Sequence, residues 1–239
     1  MCPPFLSSEL ALRVATAAGR LGVETKTFVP VLVECVGLPF TKSRFGKTTV
    51  NRVAESLARS DDPAANYAAG ERDALKSAVQ TLWGFRADDE SRLPETTGSV
   101  DDPADGAIRV AVASSDGQWI DEHFGGTLRF FVFQVAPDGS ALIDIRSTRD
   151  AVDAEDGSEF RVDLIQDCQI LYVRSIGGPP AGKVTQRGIH PMKVEQRVAI
   201  PDELARLQTK MGNSPPPWLA KAMGVPVEDR IRFTEASQS

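Results

Sequence analysis

Apolar residues in the first third of the chain return at steps of three and four. Over residues 8–20 the series Leu10, Ala11, Val14, Ala15 and Ala18, ending on Leu21, has the period of a helix that buries one face. Ser7 or Ser8 supplies an N-cap hydroxyl. The same period recurs over residues 27–36, 48–58 and 71–83, with Gly37, Pro39, Gly46, Pro63 and Gly84 between the runs. Residues 1–86 are therefore expected to form a small helical bundle.

The pattern lapses over residues 87–106, where acidic residues and turn formers leave almost nothing apolar to bury, so a flexible acidic linker is expected. Beyond it the period becomes that of strands, at residues 108–114, 128–135 and 141–146. The turn Pro137-Asp138-Gly139-Ser140 joins the last two as a hairpin. Residues 160–166 then read as a helix, 168–176 as a buried strand, 179–187 as a helix and 189–194 as a strand, a succession that predicts a parallel βαβ unit. Helices are expected at 202–211 and 218–223, and no internal repeat is visible. Residues 107–239 are thus expected to form an α/β domain with a mixed sheet, an antiparallel hairpin beside parallel strands.

Composition keeps the chain among ordinary folded proteins, with 41% apolar and 25% charged residues, and 239 residues suit two cores. The net charge is −6, unevenly spread: residues 1–86 carry about +3, residues 87–107 about −6 and the remainder about −3. That balance argues against broad nucleic-acid binding. Arg174, Lys183, Arg187, Lys193 and Arg197 nevertheless face only Glu195 within residues 168–197, which makes one segment strongly basic. Apolar runs such as 28–33 and 130–135 fall far short of the roughly 20 residues of a membrane span. Met1-Cys2-Pro3-Pro4 does not resemble a signal peptide, so a cytoplasmic protein that does not engage membranes is expected. Cys2, Cys35 and Cys168 are too far apart for a CxxC site and read as reduced thiols.

Candidate chemistry gathers in two loops. One follows the strand at 108–114 and contains Asp121-Glu122-His123-Phe124-Gly125-Gly126; the other follows the strand at 168–176 and runs through Gly177 and Gly178 into a helix. Parallel strands bring both loops to one carboxyl edge, the usual ligand position of open α/β sheets. His123 has two readings, a transition-metal ligand or a loop histidine bonded to a carboxylate. Asp121 and Glu122 are the expected carboxylates, and Phe124 an expected apolar wall. The turn before the helix offers backbone N–H groups and the positive end of a helix dipole to an anion, or is simply a tight connection. Arg174 and Lys183 are expected at this cleft, and Arg230 and Arg232 away from it. Cys168 reads as core and His190 as structural, at the opposite edge of the sheet.

The run IRVAVASSDGQWIDEHFGGTLRFFVFQV, followed by FRVDLIQDCQILYVRSIGGPPAGKVTQRGIHPMKV, resembles the dinitrogenase iron-molybdenum cofactor biosynthesis family of the NifX/NifY/NafY type, over residues 107–212. Residues 8–85, with VGLPFTKSRFGKTTVNRV, resemble the helical domain of its two-domain members. The resemblance implies a ribonuclease H-like α/β core and a sterile-alpha-motif-like helical domain. It implies a non-catalytic carrier or chaperone. The cargo is the iron-molybdenum cofactor, an iron-sulfur-molybdenum cluster with homocitrate, or its precursor, and the partners are apo-dinitrogenase and cofactor-assembly proteins. In the HFG motif it makes His123 the cluster ligand, and the loop reading above adds Gly177, Gly178, Arg174 and Lys183 as expected cluster-binding residues. Two rivals come from other classes. An adaptor would stabilise apo-dinitrogenase without a cluster. A metal-dependent nuclease would need carboxylates converging from strands, and IRVAVAS and CQILYVRSI contain none.

Overall fold

The computed structural model describes residues 7–86, 90–101, 106–213 and 215–226. Cys2, Arg230, Arg232 and residues 87–89 and 102–105 of the acidic stretch lie outside them. The chain divides into two compact units.

The first unit is helical. In α1 (Ser8–Leu21) the Leu10 N–H donates to the Ser7 hydroxyl at 3.3 Å, and Leu10, Val14, Ala17, Ala18 and Leu21 form the buried stripe. Gly22, at φ 67°, ends the helix in the left-handed region that a Cβ disfavours. α2 (Thr25–Val36), α4 (Val50–Ala58) and α6 (Arg72–Trp83) match the expected periodic runs. Two helices were not expected, α3 (Lys42–Phe45) and α5 (Pro63–Ala68). Each is too short to display a period, although Thr41 and Asp62 cap them. Arg13 ties α1 to the end of α6, its guanidinium donating to the Leu82 and Trp83 carbonyls at 3.2 and 2.9 Å. A Cβ on Gly84 would stand 2.6 Å from that guanidinium, and the backbone there has φ 114°, so the position demands glycine. Residues 148–160 group with this unit rather than with the sheet that precedes them. Ion pairs of Arg72 with Asp153 and of Lys76 with Asp150, and the Arg149 guanidinium 5.0 Å from the Phe85 ring centroid, tie this segment to the unit.

The second unit is α/β. Its sheet consists of β1 (Ile108–Ala113), β3 (Arg129–Ala136), β4 (Gly139–Ser147), β5 (Ile170–Val173) and β6 (His190–Lys193), in the order β4-β3-β1-β5-β6. β3 and β4 form the expected antiparallel hairpin, β3 also runs antiparallel to β1, and β1, β5 and β6 are parallel. β2 (Trp119–Ile120) and β7 (Val198–Ala199) pair as a separate two-residue ladder, too short to leave a pattern in the sequence.

Alternation along the strands fills both faces of the sheet. Ala111, Ala113, Leu171 and Val173 pack with Val162, Ile165 and Val184 of α7 (Gly157–Asp163), the turn after it and α8 (Gly178–Gln186). Val110, Val112, Ile170 and Tyr172 pack with Leu204, Leu207, Met211 and Leu219 of α9 (Ile200–Asn213) and α10 (Pro217–Ala222). A parallel strand buried on both faces therefore reads as one apolar run, as ILYV does. Part of the acidic stretch expected as free linker is held. Thr97 donates from its N–H to the Leu142 carbonyl at 2.8 Å and accepts the Leu142 N–H at 3.1 Å, and Gly98 lies against Ala141 and Ile143 of β4. Among the described residues no helix is long and apolar enough to cross a membrane.

Candidate functional site

Because β1 and β5 are parallel, their following loops leave the sheet on the same edge and meet there. The Arg174 N–H donates to the Glu122 carbonyl at 2.9 Å, and the Phe124 N–H donates to the Ser175 carbonyl at 3.0 Å, so His123 and Ser175 bridge like a short extra piece of parallel ladder. Phe124 anchors this loop. It is 1% exposed, with its ring centroid 5.8 Å from that of Phe130, so it is core and not the apolar wall expected of it. The His123 carbonyl accepts the N–H groups of Gly126 and Thr127 at 3.0 and 2.9 Å, which closes the turn behind the imidazole.

The His123 ring is exposed, with Nδ1 2.6 Å from Ser175 Oγ. In the tautomer where Nδ1 donates to the hydroxyl, Nε2 carries the lone pair and has no partner among the described residues. A metal-binding imidazole needs this arrangement, with one nitrogen fixed by a hydrogen bond and the other open. The orienting group is Ser175 and neither Asp121 nor Glu122, the expected carboxylates. Asp121 instead accepts from the N–H and hydroxyl of Ser115 at 3.0 and 2.7 Å. Nothing in the local sequence distinguishes Ser175, since its partner is 52 residues away.

Gly125, Gly177 and Gly178 border the imidazole loop, and their N–H groups have no acceptor among the described residues. None of these glycines has a positive φ, and Gly177 is ordinary extended backbone at φ −70°, ψ 161°. A Cβ would meet only Pro180 Cδ, at 3.7 Å, at Gly177, and nothing within 4 Å at Gly125 or Gly178. Gly178 has a local reason to lack a side chain, because it precedes Pro179 in helical conformation. No such reason applies to Gly125 or Gly177, where the space a side chain would fill is open. Pro179 and Pro180 remove two of the first-turn N–H donors, so the helix end offers an anion fewer donors than its position implies.

Arg174 is half-buried beside the loop, and its Nε has no hydrogen-bond partner. Lys183 stands five residues into α8 from Gly178, about 7.5 Å along the axis, and so further from the imidazole loop than Arg174 in the chain. The rest of the basic segment divides. Arg187 pairs with Asp163 at 2.7 Å, whereas Lys193 ends β6 at the carboxyl edge. The β2–β7 ladder brings Arg197 to the same edge, 4.2 Å above the Trp119 ring and 4.0 Å from Asp121. His190 pairs in register with Ile170, five residues before Ser175, which puts it about 16 Å away at the other edge. There it stacks on Trp218 at 4.2 Å. Cys168 is buried, and that burial pushes its thiol up to about 12, which keeps it protonated and unsuited to ligation. Among the described residues no three His, Cys, Asp or Glu side chains gather as a metal site.

Two family descriptions match the chain: "Dinitrogenase iron-molybdenum cofactor" over residues 106–210 and "Dinitrogenase iron-molybdenum cofactor, N-terminal" over residues 6–95. Protein NifY of Azotobacter vinelandii is 36% identical over 243 residues, 98% of each chain. Protein NifX of Herbaspirillum seropedicae is 38% identical over 133 residues, 54% of this chain and 90% of its own. FeMo cofactor biosynthesis protein NifB of Klebsiella pneumoniae is 35% identical over 97 residues, 37% of this chain and 21% of its own.

Proposed function

Because the chain belongs to the dinitrogenase iron-molybdenum cofactor family, we propose that its α/β half binds the iron-molybdenum cofactor or a precursor as cargo and that its helical half docks apo-dinitrogenase. Membership assigns the chain to cofactor biosynthesis and nitrogenase maturation. Within that process we read it as a non-catalytic carrier in the cytosol that receives the cluster from cofactor-assembly proteins. We read its sheet as a ribonuclease H-like core, consistent with the mixed five-stranded order, and its helical unit as sterile-alpha-motif-like.

The observation that carries the reading is the His123–Ser175 pair, an exposed imidazole fixed through Nδ1 with Nε2 unoccupied by any described residue. Nε2 would bond one metal of the cluster. The open backbone at Gly125 and Gly177 lets a bulky anion approach to van der Waals distance, and their N–H groups would hydrogen-bond its sulfur or oxygen atoms. Arg174 adds positive charge at the same edge. One protein ligand fixes a cargo without enclosing it, which suits transfer better than storage.

Metal-edge spectroscopy tests the ligand. The edge of bound cluster should differ between the wild type and His123→Ala, and His190→Ala should resemble the wild type. An unaltered spectrum and affinity in a folded His123→Ala variant would remove His123 as ligand. The adaptor reading draws its support from the lack of a multidentate metal site among the described residues, and it predicts full apo-dinitrogenase binding with no cluster.

A further inference from the structure

Leu12 is off the apolar stripe of its own helix. The buried positions of α1 are Leu10, Val14, Ala17, Ala18 and Leu21, whereas Leu12 points away from them and is 68% exposed. It lines a cavity of about 290 Å³ between α1 and the end of α6, together with Thr16, Phe85 and three arginines, Arg13, Arg20 and Arg86. Glu9, the cavity's one acid, is neutralised by Lys42 at 3.0 Å and Arg13 at 2.5 Å, and these partners hold its carboxyl below the usual range. Among the described residues, an apolar centre is thus lined by three arginines against one acid. Arg13 is itself locked in place by the Leu82 and Trp83 carbonyls, so its part of the rim is preorganised.

We propose that this face of α1 is the surface through which the helical unit docks its partner, and that it receives an acidic segment carrying one apolar side chain. The proposal rests on the docking reading above and adds its location and the chemistry it selects. Charge complementarity decides the occupant: a carboxylate pairs with Arg20 in this basic setting, and an apolar side chain covers Leu12 and excludes water from that pair. A second copy fits poorly, because a symmetric pairing through this face sets basic rim against basic rim.

Leu12→Ser and Arg20→Glu, separately and together in the full chain, test the surface. Leu12 is exposed, and among the described residues Arg20 hydrogen-bonds only the Ser77 hydroxyl, so both variants should keep wild-type circular dichroism. Tyr67→Ser and Lys26→Glu are the controls, since Tyr67 is 75% exposed and Lys26 also carries a surface charge. Binding to apo-dinitrogenase should weaken about tenfold or more in the double variant and weaken with salt in the wild type, while the controls change little. Equal effects in variants and controls would overturn the surface while leaving docking intact. A change in self-association without loss of partner binding would overturn the assigned occupant. Failure of the wild type to bind at all would overturn the docking reading and this proposal with it.

Discussion

His123 and Ser175 give the site its chemistry, and they were unequally legible. The HFG run marks His123 through the family resemblance, because a loop imidazole on its own reads equally as a structural residue. Ser175 is invisible until β1 and β5 are seen to be parallel, since only that topology joins positions so far apart. Asp121 does not orient the imidazole because its carboxylate is taken by two donors of Ser115. Three outcomes follow at this scale. His123→Ala should keep the fold, since an exposed ring leaves no core cavity, and should lose most cluster affinity in an anaerobic titration. Ser175→Ala should lower affinity about 10–100-fold with the imidazole still present, as loss of an orienting partner does. Gly177→Val should fold, because its backbone suits a β-branched residue and its Cβ contact is ordinary, yet should bind cluster more weakly by filling the approach. Normal affinity in Gly177→Val would show that the open backbone serves only the turn.

Most elements of the fold were legible in the spacing, including short strands such as β5 and β6, and a few short ones were not. α1, α2, α4 and α6 and the hairpin followed from spacing, whereas α3, α5 and the β2–β7 ladder are held by capping and tertiary pairing. The strand expected at 168–176 shortens to β5, since Arg174 and Ser175 turn out to meet the His123 loop. Asp167 clamps this part of the sheet unit. It accepts from Arg146 Nη2 at 2.9 Å and Arg109 Nη1 at 2.7 Å, joining β4 and β1 to the segment before β5. The Arg146 and Arg109 guanidinium groups hold its carboxyl well below the usual range. A depressed folded value means that the clamp contributes fully above the unfolded value of about 3.9 and is lost as pH falls through the folded value. Asp167→Asn should therefore cost about 1–2 kcal/mol at pH 7, allowing for 33% exposure, and the cost should fade in acid. Denaturant titrations at several pH values check this, and a penalty constant down to pH 2 would refute the electrostatic account.

At the level of the whole molecule, the change from helical to strand period correctly announced an all-helical part followed by an α/β part. Two features escaped it. Residues 148–160 group with the helices although strands flank them on one side and the βαβ unit on the other, and Thr97 and Gly98 attach to β4 from within an otherwise polar stretch. Both depend on contacts between distant residues that no local period encodes. Function depended most on the family resemblance, because one histidine and two glycine turns have several chemical uses on their own. The claim that this edge carries a cluster is tested most directly by incubating the full chain anaerobically with isolated iron-molybdenum cofactor, removing unbound cluster and measuring the metals retained. Stoichiometric molybdenum with its iron on the wild type, falling sharply on His123→Ala, is the predicted result. Molybdenum at background on a folded wild-type chain would contradict it.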